Sequence, residues 1–244
     1  MKFVLDVHCH TFASGHAYSS ITENAAHAAS IGLTHIGIAD HGPAMPGGPH
    51  FYYFGNMQIV PDYIHGVRVL KGAEVNIINH VGAVDLEDSY LERLDFTIAS
   101  LHRGVVPPTH AADHTFATIR AMENRWVSIL GHPADGFFDI DIEAVVAAAA
   151  QTHTIIEINN QTLNPISFRY SGDEPQRRLI QFCKEYQVPM VVSSDSHYHT
   201  QVGEVTWAMA LIKEADIPES QILNTDPALF FAAINRKREL KLEE

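Results

Sequence analysis

Seven short apolar runs punctuate the chain, and each ends in histidine or acid. Phe3-Val4-Leu5 leads to Asp6, His8 and His10, Ile36 to Ala39 ends in Asp40-His41, and Val67 to Leu70 leads to Glu74. Phe96 to Ala99 leads to His102, Val127 to Leu130 to His132, Ile155-Ile156 to Glu157 and Asn159, and Met190 to Val192 to Asp195 and His197. Continuous β-branched runs of this kind read as parallel strands buried on both faces. Helix-like stretches fall between them, over residues 24–31, 86–94, 115–123, 142–151, 174–186, 202–213 and 227–238. The first opens at Ser20-Ile21-Thr22-Glu23, which has capping-box spacing. Strands spaced by helices imply βα units and a parallel sheet. Polar residues recur at every strand end, not at one switch point, so the pattern predicts an α/β closed barrel of seven strands. The long loop from Gly42-Pro43 through Pro46-Gly47-Gly48-Pro49 ends in the aromatics of residues 51–54. Loops of that length are usually functional, and a lid and a subunit contact are both open.

A chain of 244 residues with 46% apolar content is enough for one such barrel, read as a single domain over 1–244. The formal charge of −13 and the lack of a lysine/arginine cluster argue against long nucleic acid as a partner. No apolar stretch approaches the roughly 20 residues of a membrane span. Asp6 comes too soon after the start for a signal peptide. Two cysteines, Cys9 and Cys183, suggest no disulfide framework, and a cytoplasmic location fits.

The chemistry lies in the strand ends. Side chains alternate across a strand, so His8 and His10 share a face while Cys9 packs away from it. His16 follows in a polar turn from which it can reach over the mouth. His41 ends an apolar strand, where an unpaired imidazole is costly, and Glu74 stands where an acid has no packing role. His102 and His132 each precede a turn, and Asp195-Ser196-His197 repeats the two-residue spacing. Asp6, Asp40 and Glu157 are candidates to orient imidazoles through their second N–H. Of the remaining histidines, His27, His35, His65, His80 and His153 read as surface residues. His110 and His114 read as a solvated helix start, and His50 and His199 as residues that can support the ligands from behind. Nitrogen and oxygen donors without thiolate suit Zn2+, Mn2+ or Fe2+.

At these residues the chain resembles the PHP (polymerase and histidinol phosphatase) family, most closely its stand-alone phosphatases of the YcdX type. Asp-x-His-x-His at the start, Asp40-His41-Gly42-Pro43, Asn56-Met57, Glu74, His102, His132, Glu157-Ile158-Asn159-Asn160 and Ser194-Asp195-Ser196-His197 carry the likeness. The resemblance implies a distorted (β/α)7 barrel of TIM type with its metal site at the C-terminal ends of the strands. It also implies three divalent ions per chain, zinc foremost. Carried over, His8, His10, Glu74 and Asp195 hold the first ion and His16, His41 and His197 the second. Glu74, His102 and His132 hold the third, with Glu74 bridging. The implied reaction is hydrolysis of a small phosphomonoester by a hydroxide bridging the ions, in a cytoplasmic enzyme that can be a homo-oligomer. His8, His10, Glu74, Asp195 and His197 are the expected catalytic set, and Arg103 and Arg169 are candidate phosphate clamps. The chain departs from the subgroup at Arg103-Gly104 and across residues 161–172, both in substrate loops.

Three other readings compete. An amidohydrolase barrel also opens with His-x-His, but the only strand lysine after Lys2 is Lys71, three residues before Glu74 and on the opposite face. A phosphodiesterase or exonuclease would suit short nucleotides only, since the chain is acidic and no lysine/arginine cluster marks a basic groove. A non-catalytic metal-binding protein would have no use for an open mouth holding several ions.

Overall fold

The computed structural model describes residues 1–167, 170 and 172–239. Seven parallel strands form a nearly closed barrel with helices between them. In chain order the elements are β1 (Leu5–Cys9), α1 (Ile21–Ser30), β2 (His35–Ile38), α2 (Tyr52–Asn56), β3 (Tyr63–Ile64) and β4 (Val67–Asn76). Next come α3 (Asp88–Leu91), β5 (Phe96–Ser100), α4 (Ala111–Glu123), β6 (Ile129–Leu130), α5 (Ile142–Thr152) and β7 (Ile155–Asn159). The chain continues through α6 (Glu174–Glu185), β8 (Met190–Ser193), α7 (Thr206–Glu214) and α8 (Pro227–Arg238). The parallel order is β1-β2-β4-β5-β6-β7-β8, and β3 pairs antiparallel with β4 as a small flap outside that path.

The barrel interior is filled by Leu5, Val7, Leu70, Phe96, Ile98, Ile129, Ile155 and Val191, with Phe230 and Ile234 of α8 in the same cluster. Phe96 lies across the backbones of β2 and β4. A Cβ at Gly37 or Gly72 would collide with its ring, so the glycines within those apolar runs are required by close packing. Outside the barrel, α1 covers Ile36 and Ile38, and α5, α6 and α7 cover Leu130, Ile156, Ile158 and Val192. No helix among the described residues is long and apolar enough to cross a membrane.

Several expected elements shift. Ser20 and Glu23 form the capping box, and α1 begins at Ile21. The segment 86–94 keeps only the short α3. The helix expected from residue 202 starts at Thr206, after a tight turn over His199–Gln201. The aromatic stretch 51–54, read as loop, enters α2.

The last helix fastens the floor. Lys237 is buried and its ammonium donates to the carbonyls of Met122 and Thr152 (2.9 Å for the latter), which lie in the final turns of α4 and α5. A cation there also opposes the negative ends of both helices. Burial nevertheless lowers the Lys237 pKa to about 7, against about 10.4 for a free lysine. Because the folded value is depressed, the cost of burying charge is fully present below pH 7 and fades as pH rises towards 10. The unfolded chain holds the extra proton across that window, so stability rises with pH there, by at most about 1.4 kcal/mol per unit. Urea unfolding of wild type and Lys237→Met from pH 6.5 to 10 checks this. The wild-type advantage should grow with pH, and a flat difference would refute it.

Candidate metal centre

The ends of β1 and β8 meet at the barrel mouth, where the His10 amide donates to Ser196 O (2.9 Å) and the Ser196 amide to His8 O (3.2 Å). This contact brings His8 and His10 against Asp195 and His197. The pairing of β1 with β2 steps from Asp6↔Ile36 to Cys9↔Ile38, an extra residue in β1. Such a bulge breaks strict alternation. Leu5 and Val7 point into the barrel, Cys9 packs outside with Ile36 and Ile38, and Asp6 is turned away from the imidazole rings. Asp6 instead accepts from the Ser194 hydroxyl (2.5 Å) and the Gly203 amide (2.8 Å) and ties β8 to β1. The expectation that Asp6 orients an imidazole is therefore corrected. Burial raises its pKa, partly offset by those hydrogen bonds.

Glu74 stands at the middle. Its Oε2 lies 2.6 Å from His41 Nδ1, 3.4 Å from His8 Nε2 and 3.5 Å from His10 Nε2. Its Oε1 lies 2.9 Å from His132 Nε2 and 3.3 Å from His102 Nε2, and accepts from the Ser100 hydroxyl at 2.7 Å. Burial opposes the charge, but His102, His8 and His41 outweigh it and hold the carboxyl well below its usual range. The same balance holds His8 well above the usual imidazole value: burial lowers it, and Glu157, Glu74 and Asp195 raise it further. His41 falls to about 4 and His10 well below normal, mainly through burial, with neighbouring imidazoles adding to it.

His10 Nε2 lies 3.1 Å from both His8 Nε2 and Asp195 Oδ1, and His16 Nε2 lies 3.3 Å from His41 Nε2. The rings of His10 and His197 approach to 4.4 Å. Three sets bring one donor atom each within 4.8 Å: His10/His41/His197, His8/His10/Glu74 and His41/Glu74/His102. The structure thus gathers all nine residues expected as ligands. His10, His41 and Glu74 each belong to two of these sets; the likeness to the family gives that double place to Glu74 and a single ion to His10 and to His41.

Cations fit this donor set. Among the described residues the buried Glu74 Oε2 and His41 Nδ1 have no well-formed hydrogen-bond partner, although they lie 2.6 Å apart. Glu157 and Ser14 take the Nδ1 sides of His8 and His10, so the Nε2 atoms of the two rings, when both are neutral, meet at 3.1 Å as acceptors with no proton between them, and nitrogen plus carboxylate donors suit divalent ions of the zinc type.

Partners behind the ring were only partly foreseen. Glu157 Oε1 sits 2.6 Å from His8 Nδ1, and its Oε2 accepts from the His132 amide at 2.7 Å. Asp40 acts indirectly, through Ser14. Residues not anticipated are Asn76, whose Oδ1 lies 2.8 Å from His102 Nδ1, Ser14, Ser100, and Asp135, 3.4 Å from His132 Nδ1. Asn159 donates to Asp195 Oδ2 at 3.1 Å. Asn76 follows Glu74 by two residues, as Asn159 follows Glu157, so extending the strand period by one step would have found it.

Among the described residues, His50 and His199 make their contacts away from the nine gathered side chains. His50 packs on Phe51 and Tyr52, and His199 Nδ1 lies 3.1 Å from the Ser19 hydroxyl. His114 is buried, not solvated: its Nδ1 donates to Asp139 O and its Nε2 accepts from the Thr109 amide. Arg103 is exposed with its guanidinium 4.2 Å from the Phe137 ring centroid, and Arg169 lies outside the described residues. Beside the ring opens a cavity of about 340 Å³ lined by His16, Gln161, Asn164, Ile166, His197 and Gln201 among others.

A profile of the PHP domain matches residues 6–161, and a PHP-associated profile matches residues 174–237. A "Probable phosphatase" of Acetivibrio thermocellus is 41% identical over 239 residues, 98% of each chain. Another, of Thermoanaerobacter sp. strain X514, is 45% identical over 227 residues, 93% of this chain and 92% of its own. Among solved structures, the histidinol phosphate phosphatase of Lactococcus lactis, complexed with zinc, L-histidinol and phosphate, matches with a TM-score of 0.60. The match has 15% identity and covers 86% of this chain and 93% of that one. A chain of archaeal ribonuclease P with mature tRNA matches with a TM-score of 0.53 and 11% identity, over 96% of this chain and 90% of that one. At such identities these two share the fold.

Proposed function

The chain belongs to the PHP family, and from that premise we propose that it is a metal-dependent phosphatase acting on small phosphomonoesters. In this reading three divalent ions, zinc foremost, are held by His8, His10, His16, His41, Glu74, His102, His132, Asp195 and His197. The observation that carries it is Glu74, whose two oxygens face separate groups of imidazoles. A carboxylate so placed is built to bridge.

Divalent ions in such a site supply Lewis acidity and make water a usable nucleophile near neutral pH. The protein's own groups decide where the donor atoms point. Glu157 takes the Nδ1 side of His8, Asn76 that of His102 and Ser14 that of His10, which leaves each Nε2 towards the centre. Asn159 holds Asp195 Oδ2 and frees Oδ1 towards His10. Gln161, Asn164 and Gln201 line the adjoining cavity and would receive the alcohol part of the substrate, with Arg103 and Arg169 as clamps for its phosphate. The lysine-bridged amidohydrolase reading finds no support, because Lys71 Nζ pairs with Asp62 away from the mouth.

The test is metal content per chain together with turnover of a phosphomonoester, a phosphodiester and a cyclic amide, before and after chelation. About three ions with chelator-sensitive monoesterase activity is the expected result. Full occupancy with no monoesterase, or amide hydrolysis instead, would overturn the reading.

A further inference from the structure

One buried carboxylate links the aromatic segment to the metal centre. Asp40 accepts from the Thr11 amide (2.7 Å), the Thr11 hydroxyl (2.8 Å), the Ser14 hydroxyl (2.6 Å) and the Tyr53 hydroxyl (2.6 Å). A carboxylate offers about four acceptor positions, and these donors fill them. The Ser14 proton is thereby committed to Asp40, and its oxygen can only accept elsewhere. The His41 amide donates to it at 3.1 Å, and His10 Nδ1 lies 3.0 Å away. That last contact is satisfied only if His10 carries its proton on Nδ1. His10 Nε2 is then left bare, on the side of the ring that faces Asp195, His8 and Glu74.

The donor that completes this set does not come from the barrel. Tyr53 belongs to α2, in the long segment after β2, and its neighbours anchor it: Phe54 is buried, and Phe51 packs edge-on against Tyr90. We propose that Tyr53 is a positioning residue: through Asp40 and Ser14 its hydroxyl fixes the tautomer and aim of His10 and the backbone of His41. It thereby sets the affinity for the ion that His10 Nε2 would hold with His8, Glu74 and Asp195. The proposal rests on the reading of the centre as an ion site. It gives the aromatic segment a role distinct from lid or subunit contact, because the loop reports to the ligands through a chain of two hydrogen-bonded residues.

The experiment titrates Zn2+ into chelator-stripped wild type, Tyr53→Phe, Ser14→Ala and Tyr52→Phe, and measures release of each ion to a competing chelator. Tyr52 is 69% exposed and serves as the control. Tyr53→Phe should keep the full capacity at saturating zinc and lose up to about 10-fold in affinity for one ion, the lower end of the range for a partner bonded directly to a ligand, because it acts through Asp40 and Ser14. Ser14→Ala should weaken the same ion, and the double variant should lose less than the sum of the two changes. Tyr52→Phe should match wild type. Melting of the stripped proteins separates a structural role from a positioning one: a general loss of stability that weakens every ion equally would overturn the proposal. So would Tyr53→Phe with wild-type affinity and release. Wild type that takes up no zinc would overturn the ion-site reading as well, and the two failures are thus distinct.

Discussion

Glu74→Gln is expected to lose at least one ion per chain and to cut turnover by at least about 10^3-fold while the barrel stays folded. The side chain keeps its shape, so packing is spared and the change is electrical. An amide offers one acceptor oxygen where the carboxylate offers two. Here both oxygens are in use, Oε2 towards His8, His10 and His41 and Oε1 towards His102, His132 and Ser100. Whichever way the amide is turned, one group of imidazoles meets an NH2. The expected loss exceeds the roughly 10^2–10^3 associated with a single transition-state donor, because in the proposed reading Glu74 serves two ion positions at once. His132→Ala is the informative comparison: it removes a nitrogen that faces Oε1 alone, so it should cost one ion and spare the others. Circular dichroism, metal analysis and phosphomonoesterase turnover on both variants decide it. A Glu74→Gln enzyme with wild-type metal content and turnover within tenfold would remove Glu74 from the centre.

Why were the residues of the centre readable in the chain and their supports mostly not? Parallel strands buried on both faces leave polar residues only at their ends, so His41, Glu74, His102 and His132 stand out against apolar runs. Supports such as Ser14, Ser100 and Asp135 are ordinary small polar residues whose meaning comes from a partner distant in sequence. Ser100 reaches Glu74 from the neighbouring strand, and no periodicity announces such a pair. Asp6 misled for a different reason. Its two-residue spacing to His8 and His10 implies one face, and the bulge in β1, invisible in the sequence, turns it to Ser194. His114 has helical spacing from His110 and looked solvated, yet Asp139 and Thr109 close over it from outside the helix. His132 and Asp195 both adopt positive φ, 28° and 49°. That conformation is unfavourable for non-glycine residues and is tolerated where a site dictates it.

Asn224→Ala is expected to destabilise the protein by about 3–5 kcal/mol, with the damage starting at the seam of the barrel. β1 and β8 meet at the mouth but do not pair along their length, and Asn224 fills the gap below. Its amide donates to Leu5 O (2.9 Å) and Val192 O (2.7 Å), and its carbonyl oxygen accepts from the Val192 amide (2.7 Å). The side chain is buried, so water cannot replace it in place. Truncation strands three backbone groups, each costing about 1–3 kcal/mol when buried without a partner. Such a loss is a large share of the roughly 5–15 kcal/mol that holds a domain together. For a chain of this size it corresponds to a melting point lower by about 10 °C. Asn224→Asp should be at least as harmful, since a carboxylate cannot donate to either carbonyl. The strands that flank the gap also carry His8, His10 and Asp195 at their upper ends. Opening the seam should therefore speed metal release before the protein melts, with no change to any ligand. Thermal melting and zinc release measured together test both parts. A melting point within about 2 °C of wild type would show that the seam is held by something other than Asn224.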